Sequence, residues 1–140
     1  MQRLKLIISL VILINTCSTF AQQADEIIGK YRLPNKLDID IYKMEGKYFG
    51  KIIRLNGYED GQTKDIKNPD KSKRDDNLLG KVIIKNLEFD EEEKEWINGT
   101  IYGPEKGMNL NLKITEIRKN EIVVVGSKYL FWKTLIWERL

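Results

Sequence analysis

Apolar and polar residues alternate through most of this chain. Residues 36–44 show it most clearly, with Leu37, Ile39 and Ile41 on one side and Asp38, Asp40 and Tyr42 on the other. A period of two marks a strand with one buried face. The same pattern predicts strands over residues 27–33, 36–44, 47–55, 81–89, 95–102, 108–117, 121–126 and 132–139. Pro34 ends the first, because it cannot donate to a ladder. Glu45-Gly46, residues 102–107 and Lys119-Asn120 supply turn chemistry between strands. In residues 108–117, Met108, Leu110, Leu112 and Ile114 share a face. In residues 95–102, Ile101 should point inward, with Trp96, Asn98, Thr100 and Tyr102 on the other face.

Short strands separated by turns, with no helical period, predict an all-β sandwich or barrel. Gly50, Gly99 and Gly126 lie inside strands, where they allow the bending that closes a sheet and removes its exposed edges. The expected fold is one eight-stranded antiparallel up-and-down barrel. One long loop, residues 56–80, interrupts it between the third and fourth strands. A loop of that length is normally functional or mobile. In such a barrel alternate links share an end. Residues 34–35, 56–80, 103–107 and 127–131 then gather at one end and the tight turns at the other.

The amino terminus breaks the pattern. Residues 1–5 carry Arg3 and Lys5, residues 6–14 are nearly all apolar, and Thr19 and Ala21 stand at the minus-three and minus-one positions. This is the layout of a secretory signal peptide, so residues 1–21 are expected to be removed and residues 22–140 to form the domain. The apolar run is too short for a membrane span, which needs about 20 residues. The protein is therefore expected to be exported, periplasmic or secreted. The competing reading is a lipoprotein anchored through Cys17, although Thr16 fits poorly beside a lipidated cysteine.

Cleavage changes the chemistry available. The chain has 24 basic and 21 acidic residues; losing Arg3 and Lys5 leaves 22 against 21, so no nucleic-acid footprint is expected. The chain has no His, and its one Cys leaves with the signal. That excludes His/Cys zinc sites, Cys–His pairs and Ser–His–Asp triads. No cofactor or metal is expected. The acidic run of residues 90–93 lacks calcium-loop spacing and reads as a solvated turn. Asn98-Gly99-Thr100 matches a glycosylation sequon but falls inside a strand.

The candidate site residues are of two kinds. Asn68, Asp70 and Arg74 in the long loop offer a lid or clamp, with the Arg74 guanidinium able to fork onto a carboxylate or phosphate; alternatively they hold the loop's own shape. Trp96, Tyr102, Trp132 and Trp137 either line a cavity or fill the core. Trp137 and Arg139 are expected to close the barrel, with Arg139 covering the ring or bonding loose carbonyls. Tyr129, Leu130 and Phe131 form an apolar cluster at the long-loop end, where together with that loop they would make a gated entrance.

Several pieces, in order, resemble the bacterial exported family known as domain of unknown function 2147. They are Ile28-Gly29-Lys30-Tyr31, Gly46-Lys47-Tyr48, Gly50-Lys51-Ile52, Asn68-Pro69-Asp70 with Arg74, and Leu78-Leu79-Gly80. Trp96, Gly99, Ile101-Tyr102, Pro104, Gly107, Gly126, Trp137 and Arg139 complete the set. The resemblance implies a lipocalin-like or streptavidin-like barrel and no established activity. The chain departs from the family pattern at Tyr31, usually Trp, at Asp76, often a second Arg, and at Gly103, often Asp. An anion site on two loop arginines is therefore not expected. The expected function is binding of a small apolar or amphipathic ligand. The alternative is a structural or partner-binding envelope protein with a packed interior. An enzyme would need paired carboxylates such as Asp38 and Asp40, which read as a solvated face.

Overall fold

A computed structural model of the protein describes residues 23–140. The signal-peptide reading and Cys17 lie outside the described residues. Eight antiparallel strands close into a barrel in sequence order. They are β1 (Gly29–Arg32), β2 (Asp38–Met44), β3 (Lys47–Arg54), β4 (Val82–Asp90), β5 (Glu95–Gly103), β6 (Met108–Ile117), β7 (Glu121–Lys128) and β8 (Phe131–Arg139). The alternation therefore gave both strand number and approximate bounds, and links of the same parity share an end.

The inward face is apolar. Leu37, Ile39 and Ile41 are fully buried, as are Tyr31, Tyr48, Ile52, Ile84, Leu87, Ile114, Ile122 and Trp137. Exposed charges such as Lys47, Lys51, Lys85 and Lys113 stand on strand positions between them. This is the reverse of a transmembrane barrel, which turns its apolar side outward. Among the described residues no helix is long and apolar enough to cross a membrane. Gly50 is required by close approach: a Cβ there would come within 2.9 Å of the Ile84 side chain.

Two bulges alter the expected facing. Asn86 and Asn98 adopt left-handed backbone at φ 61°. In β5 the register steps from Trp96↔Ile114 to Gly99↔Leu112, so two residues oppose one. Such a bulge shifts the alternation by one residue. Trp96 consequently faces inward with Gly99 and Ile101, and the expectation that it faces away from Ile101 is corrected. Asp38 is a second correction. Instead of belonging to a solvated face it is fully buried. Arg32 forks onto it at 2.8 and 3.0 Å and Arg54 approaches to 3.7 Å. The Arg32 hydrogen bonds, outweighing the opposing effect of burial, hold the Asp38 carboxyl below the usual carboxylate range.

One end of the barrel is plugged by the turn that precedes β1. Ile27 is fully buried. The Trp96 indole donates to the Ala24 carbonyl at 2.9 Å, and the Tyr48 hydroxyl to Asp25 at 2.6 Å. The Tyr31 hydroxyl donates to the Ile27 carbonyl at 2.8 Å. Arg139 donates to the Glu26 carbonyl at 2.6 Å and to the Tyr31 hydroxyl at 2.7 Å. Its guanidinium lies 5.4 Å from the Tyr31 ring centre. Arg139 thus bonds a loose carbonyl as expected, but the ring it covers is Tyr31. At the same end, Asp90 accepts from the backbone of Glu92 and Glu93, which closes the acidic turn.

Candidate functional site: an open cleft between the last and first strands

The site arises from unequal strand lengths. β1 has four residues, and its partnership with β8 consists of Tyr31↔Arg139 and Arg32↔Glu138. Beyond that the chain turns back at Pro34 into β2, with the Lys36 amide bonding the Leu33 carbonyl. β8 continues for seven more residues, Phe131 to Trp137, paired along its other side with β7. The wall therefore gapes at the end opposite the plug.

A cleft of about 210 Å³ fills this gap, with Leu33, Ile83, Ile101, Leu110, Leu135 and Trp137 among its walls. Gly126 adds no side chain, and a Cβ there would meet only Leu110, at 3.6 Å. The cleft continues into an outer groove of about 480 Å³ along Met108, Tyr129, Phe131 and Trp132. The two share Gly103, Glu105, Leu110, Gly126, Lys133 and Leu135. An apolar path thus runs from the β7–β8 hairpin into the barrel.

The path is mainly apolar, and its polar residues, Asn35, Tyr102, Glu105, Lys106, Ser127, Lys128 and Lys133, stand along the strand ends and turns. Lys133 stands opposite Gly126 in the ladder, so it shares the inward face. Glu105 accepts weakly from the Asn35 amide at 3.4 Å. The Trp137 indole N–H is buried, and no described protein group accepts its hydrogen. A buried donor without an acceptor is costly. Another concavity, about 490 Å³, lies on the outer wall along Ile97 to Thr100 and Asn111 to Lys113, where the Asn98 bulge bends β5.

The long loop sits at the same end as the cleft but folds on itself. Lys64 and Asn77 form a bridge, flanked by backbone bonds from Asp65 to Asp76 and from Leu78 to Thr63. Tyr58 and Leu78 are fully buried. Asp65, also fully buried, is the pin. It accepts from Asn68 at 2.7 Å and from the Tyr102 hydroxyl at 2.7 Å, and pairs with Lys81 at 3.0 Å. Burial pushes the Asp65 carboxyl up, but the bonds from Asn68, Tyr102 and Lys81 together outweigh it and hold it below the usual range. Gly107 locks the next turn against the loop: its φ is +61°, and a Cβ there would overlap the Lys67 carbonyl oxygen.

The sequence-derived candidates therefore occupy three places. Tyr129, Phe131 and Trp132 gather at the outer groove, and Tyr102 lines the inner cleft while bonding Asp65. Asn68, Asp70 and Arg74 hold the loop's shape: Asn68 accepts from the Asp70 amide, Asp70 caps Ser72, and Arg74 donates to the Asn68 carbonyl at 2.8 Å. No described loop residue from 56 to 80 lines either cleft. The loop and the Tyr129–Phe131 cluster share an end, but the cleft walls come from strands. Trp96 is at the plugged end, so it does not join the others. Sequence reasoning overlooked Leu110, Lys133 and Leu135. The available signal was the mismatch between a first strand stopped by Pro34 and a last strand running on to Arg139.

No curated protein matches this chain. Among solved structures it is similar to a Helicobacter pylori protein described as "Protein HP1028 from the human pathogen Helicobacter pylori belongs to the lipocalin family". The TM-score is 0.71 at 20% identity, covering 82% of this chain and 83% of that one. At that identity the likeness establishes a shared lipocalin-like barrel. Residues 29–139 match the model of a family described as "Uncharacterized protein conserved in bacteria" (DUF2147), and the chain belongs to that family.

Proposed function

We propose that the protein is an exported, non-enzymatic barrel that binds a small amphipathic ligand in the cleft between β8 and the β1–β2 turn. The carrying observation is the gap itself. Where β8 has no β1 partner, an apolar slot opens into the barrel, and Lys133 lies on its rim. The inner 210 Å³ suits a short apolar segment, and the outer groove takes the remainder. Ligand pockets typically enclose roughly 300–1,000 Å³ with a few orienting polar groups, which the two parts reach together. Lys133, on the rim, would orient an acidic head.

Calorimetric titration with fatty acids of increasing chain length tests this. Saturable binding is expected, lost in Gly126→Val, which fills the slot without straining the backbone. Failure of every chain length to bind would favour the packed, partner-binding alternative, which the filled lower half of the barrel supports. Export is tested separately by the mass of the mature amino terminus, with Gln22 expected first.

A further inference from the structure

We propose that the β7–β8 hairpin tip is a membrane-docking element that seats the barrel, open end down, on a bilayer surface rich in anionic lipid. The tip reads Lys128-Tyr129-Leu130-Phe131-Trp132-Lys133. Its four central side chains are 91%, 85%, 81% and 75% exposed. Single exposed apolar residues are ordinary, but four in succession at a protruding hairpin are not. The composition suits the lipid–water interface: Tyr and Trp join an apolar ring to a polar edge, and Leu and Phe can go deeper. Lysines bracket the tip, and among the described residues neither forms an ion pair with a carboxylate.

The backbone supplies an independent observation. Lys128 pairs with Phe131, leaving Tyr129-Leu130 as a two-residue turn, and Tyr129 has φ 54°. Turns of this kind normally place Gly, Asn or Asp at such a position. A bulky aromatic there is strained, and strain of this sort concentrates at functional sites.

Charge selects lipid over another protein chain. In a two-fold, tip-to-tip pair of copies, Lys128 and Lys133 would approach their own equivalents. Strand addition along the free edge of β8 is discouraged by Lys133, an inward charge of the sort that blunts edges. An anionic lipid surface satisfies the lysines and buries the aromatic side chains together.

The test uses the purified protein with vesicles of phosphatidylcholine, alone or mixed with phosphatidylglycerol. Brominated lipid chains should quench fluorescence in the mixed vesicles, and the quenched component should disappear in Trp132→Phe. Leu130 lines neither cleft, so Leu130→Ser should weaken vesicle binding without changing fatty-acid titrations. Lys128→Gln should weaken it by about fivefold, the effect of roughly one interfacial lysine. These variants differ only at the tip, so any contribution from the apolar residues 6–14 is constant. Quenching that survives in Trp132→Phe, or vesicle binding indifferent to Leu130→Ser and Lys128→Gln, would overturn the proposal. So would self-association in sedimentation velocity that Leu130→Ser abolishes, without lipid quenching, since the tip would then join two copies.

Discussion

The two ends of this barrel are built on opposite principles. At the plugged end, three aromatic side chains that enter the core also place their polar atoms on partners: Trp96 on Ala24, Tyr48 on Asp25, Tyr31 on Ile27. The turns there are short. At the open end, the longest connection is pinned away from the cleft, and the tip of the β7–β8 hairpin holds four exposed apolar and aromatic residues in succession. Apolar area is buried at one end and displayed at the other. Stability should therefore be concentrated where the chain closes, leaving the mouth free to carry side chains that contribute little to folding.

Two tryptophans give the largest contrast. Trp96 is almost fully buried and packs 5.0 Å from the Phe89 ring centre. Replacing it with Ala should cost about 3–5 kcal/mol, the usual price of an emptied aromatic site. Trp132→Ala, on an exposed side chain, should change stability by no more than about 0.5 kcal/mol. Urea unfolding measures both. Equal losses would mean that the mouth stabilises the fold as much as the plug does.

Much of this division was legible in the sequence, and the parts that were not have identifiable causes. Strict alternation in residues 36–44 and 108–114 exposed the strands, because a half-buried sheet face leaves that imprint directly. Parity of the links then placed the long loop and the Tyr129–Phe131 cluster at one end. The facing of Trp96 was missed because the strand was read in one phase throughout, whereas the bulge at Asn98 shifts the alternation by one residue. Its sign was Asn98, and Asn86 in β4, residues that strands normally avoid and left-handed backbone tolerates. Asp38 was misread because alternation cannot tell a solvated carboxylate from one buried under two arginines that come from other strands. The cleft was missed for a similar reason: it depends on which part of β8 lacks a partner, and pairing register is a non-local fact.

Asp65 provides a smaller test, at the boundary between the two regions. Asp65→Ala would leave the partly buried Lys81 ammonium, the Tyr102 hydroxyl and the Asn68 amide without their common acceptor. A loss of about 2 kcal/mol is expected, held below the cost of a fully buried pair because Lys81 keeps some exposure. The loss should fall mainly on the loop, seen as faster tryptic cleavage between Lys64 and Lys73 with the barrel intact. pH should act in the same direction. Asp25, Asp38 and Asp65 all titrate below the ordinary carboxylate value in the fold. Each takes up its proton more readily when unfolded. Their contribution is therefore complete above the unfolded value, near pH 4, and is lost as pH falls through the folded values. With no His in the chain, the urea midpoint should stay nearly flat between about pH 5 and 8 and fall below about pH 4. Asp65→Asn should fall less steeply over the acid range. Unchanged proteolysis in Asp65→Ala would show that the apolar anchors Tyr58 and Leu78 hold the loop without the polar cluster.

The smallest expected effect has the opposite sign. Tyr129 holds a left-handed backbone at φ 54° with its side chain 91% exposed. It therefore bears conformational strain without the compensation of burial. Its near neighbour Lys128 lies 5.9 Å from the ring centre, and an exposed contact of that kind contributes at most about 0.5–1 kcal/mol. Asn tolerates left-handed backbone far better than a bulky aromatic residue does. Tyr129→Asn should thus leave the protein as stable as before or raise its stability by about 0.5–1 kcal/mol, within the range gained by relieving such positions. Parallel urea curves with a midpoint shifted upward would register this, and the same variant should bind anionic vesicles less well. A substitution that improves the fold while weakening docking would identify a tip whose side chain is not optimised for folding. A clear fall in stability would instead mean that Tyr129 packs against the hairpin strongly enough to belong to the fold, and the contrast between the two ends would have to be redrawn with the hairpin on the stabilising side.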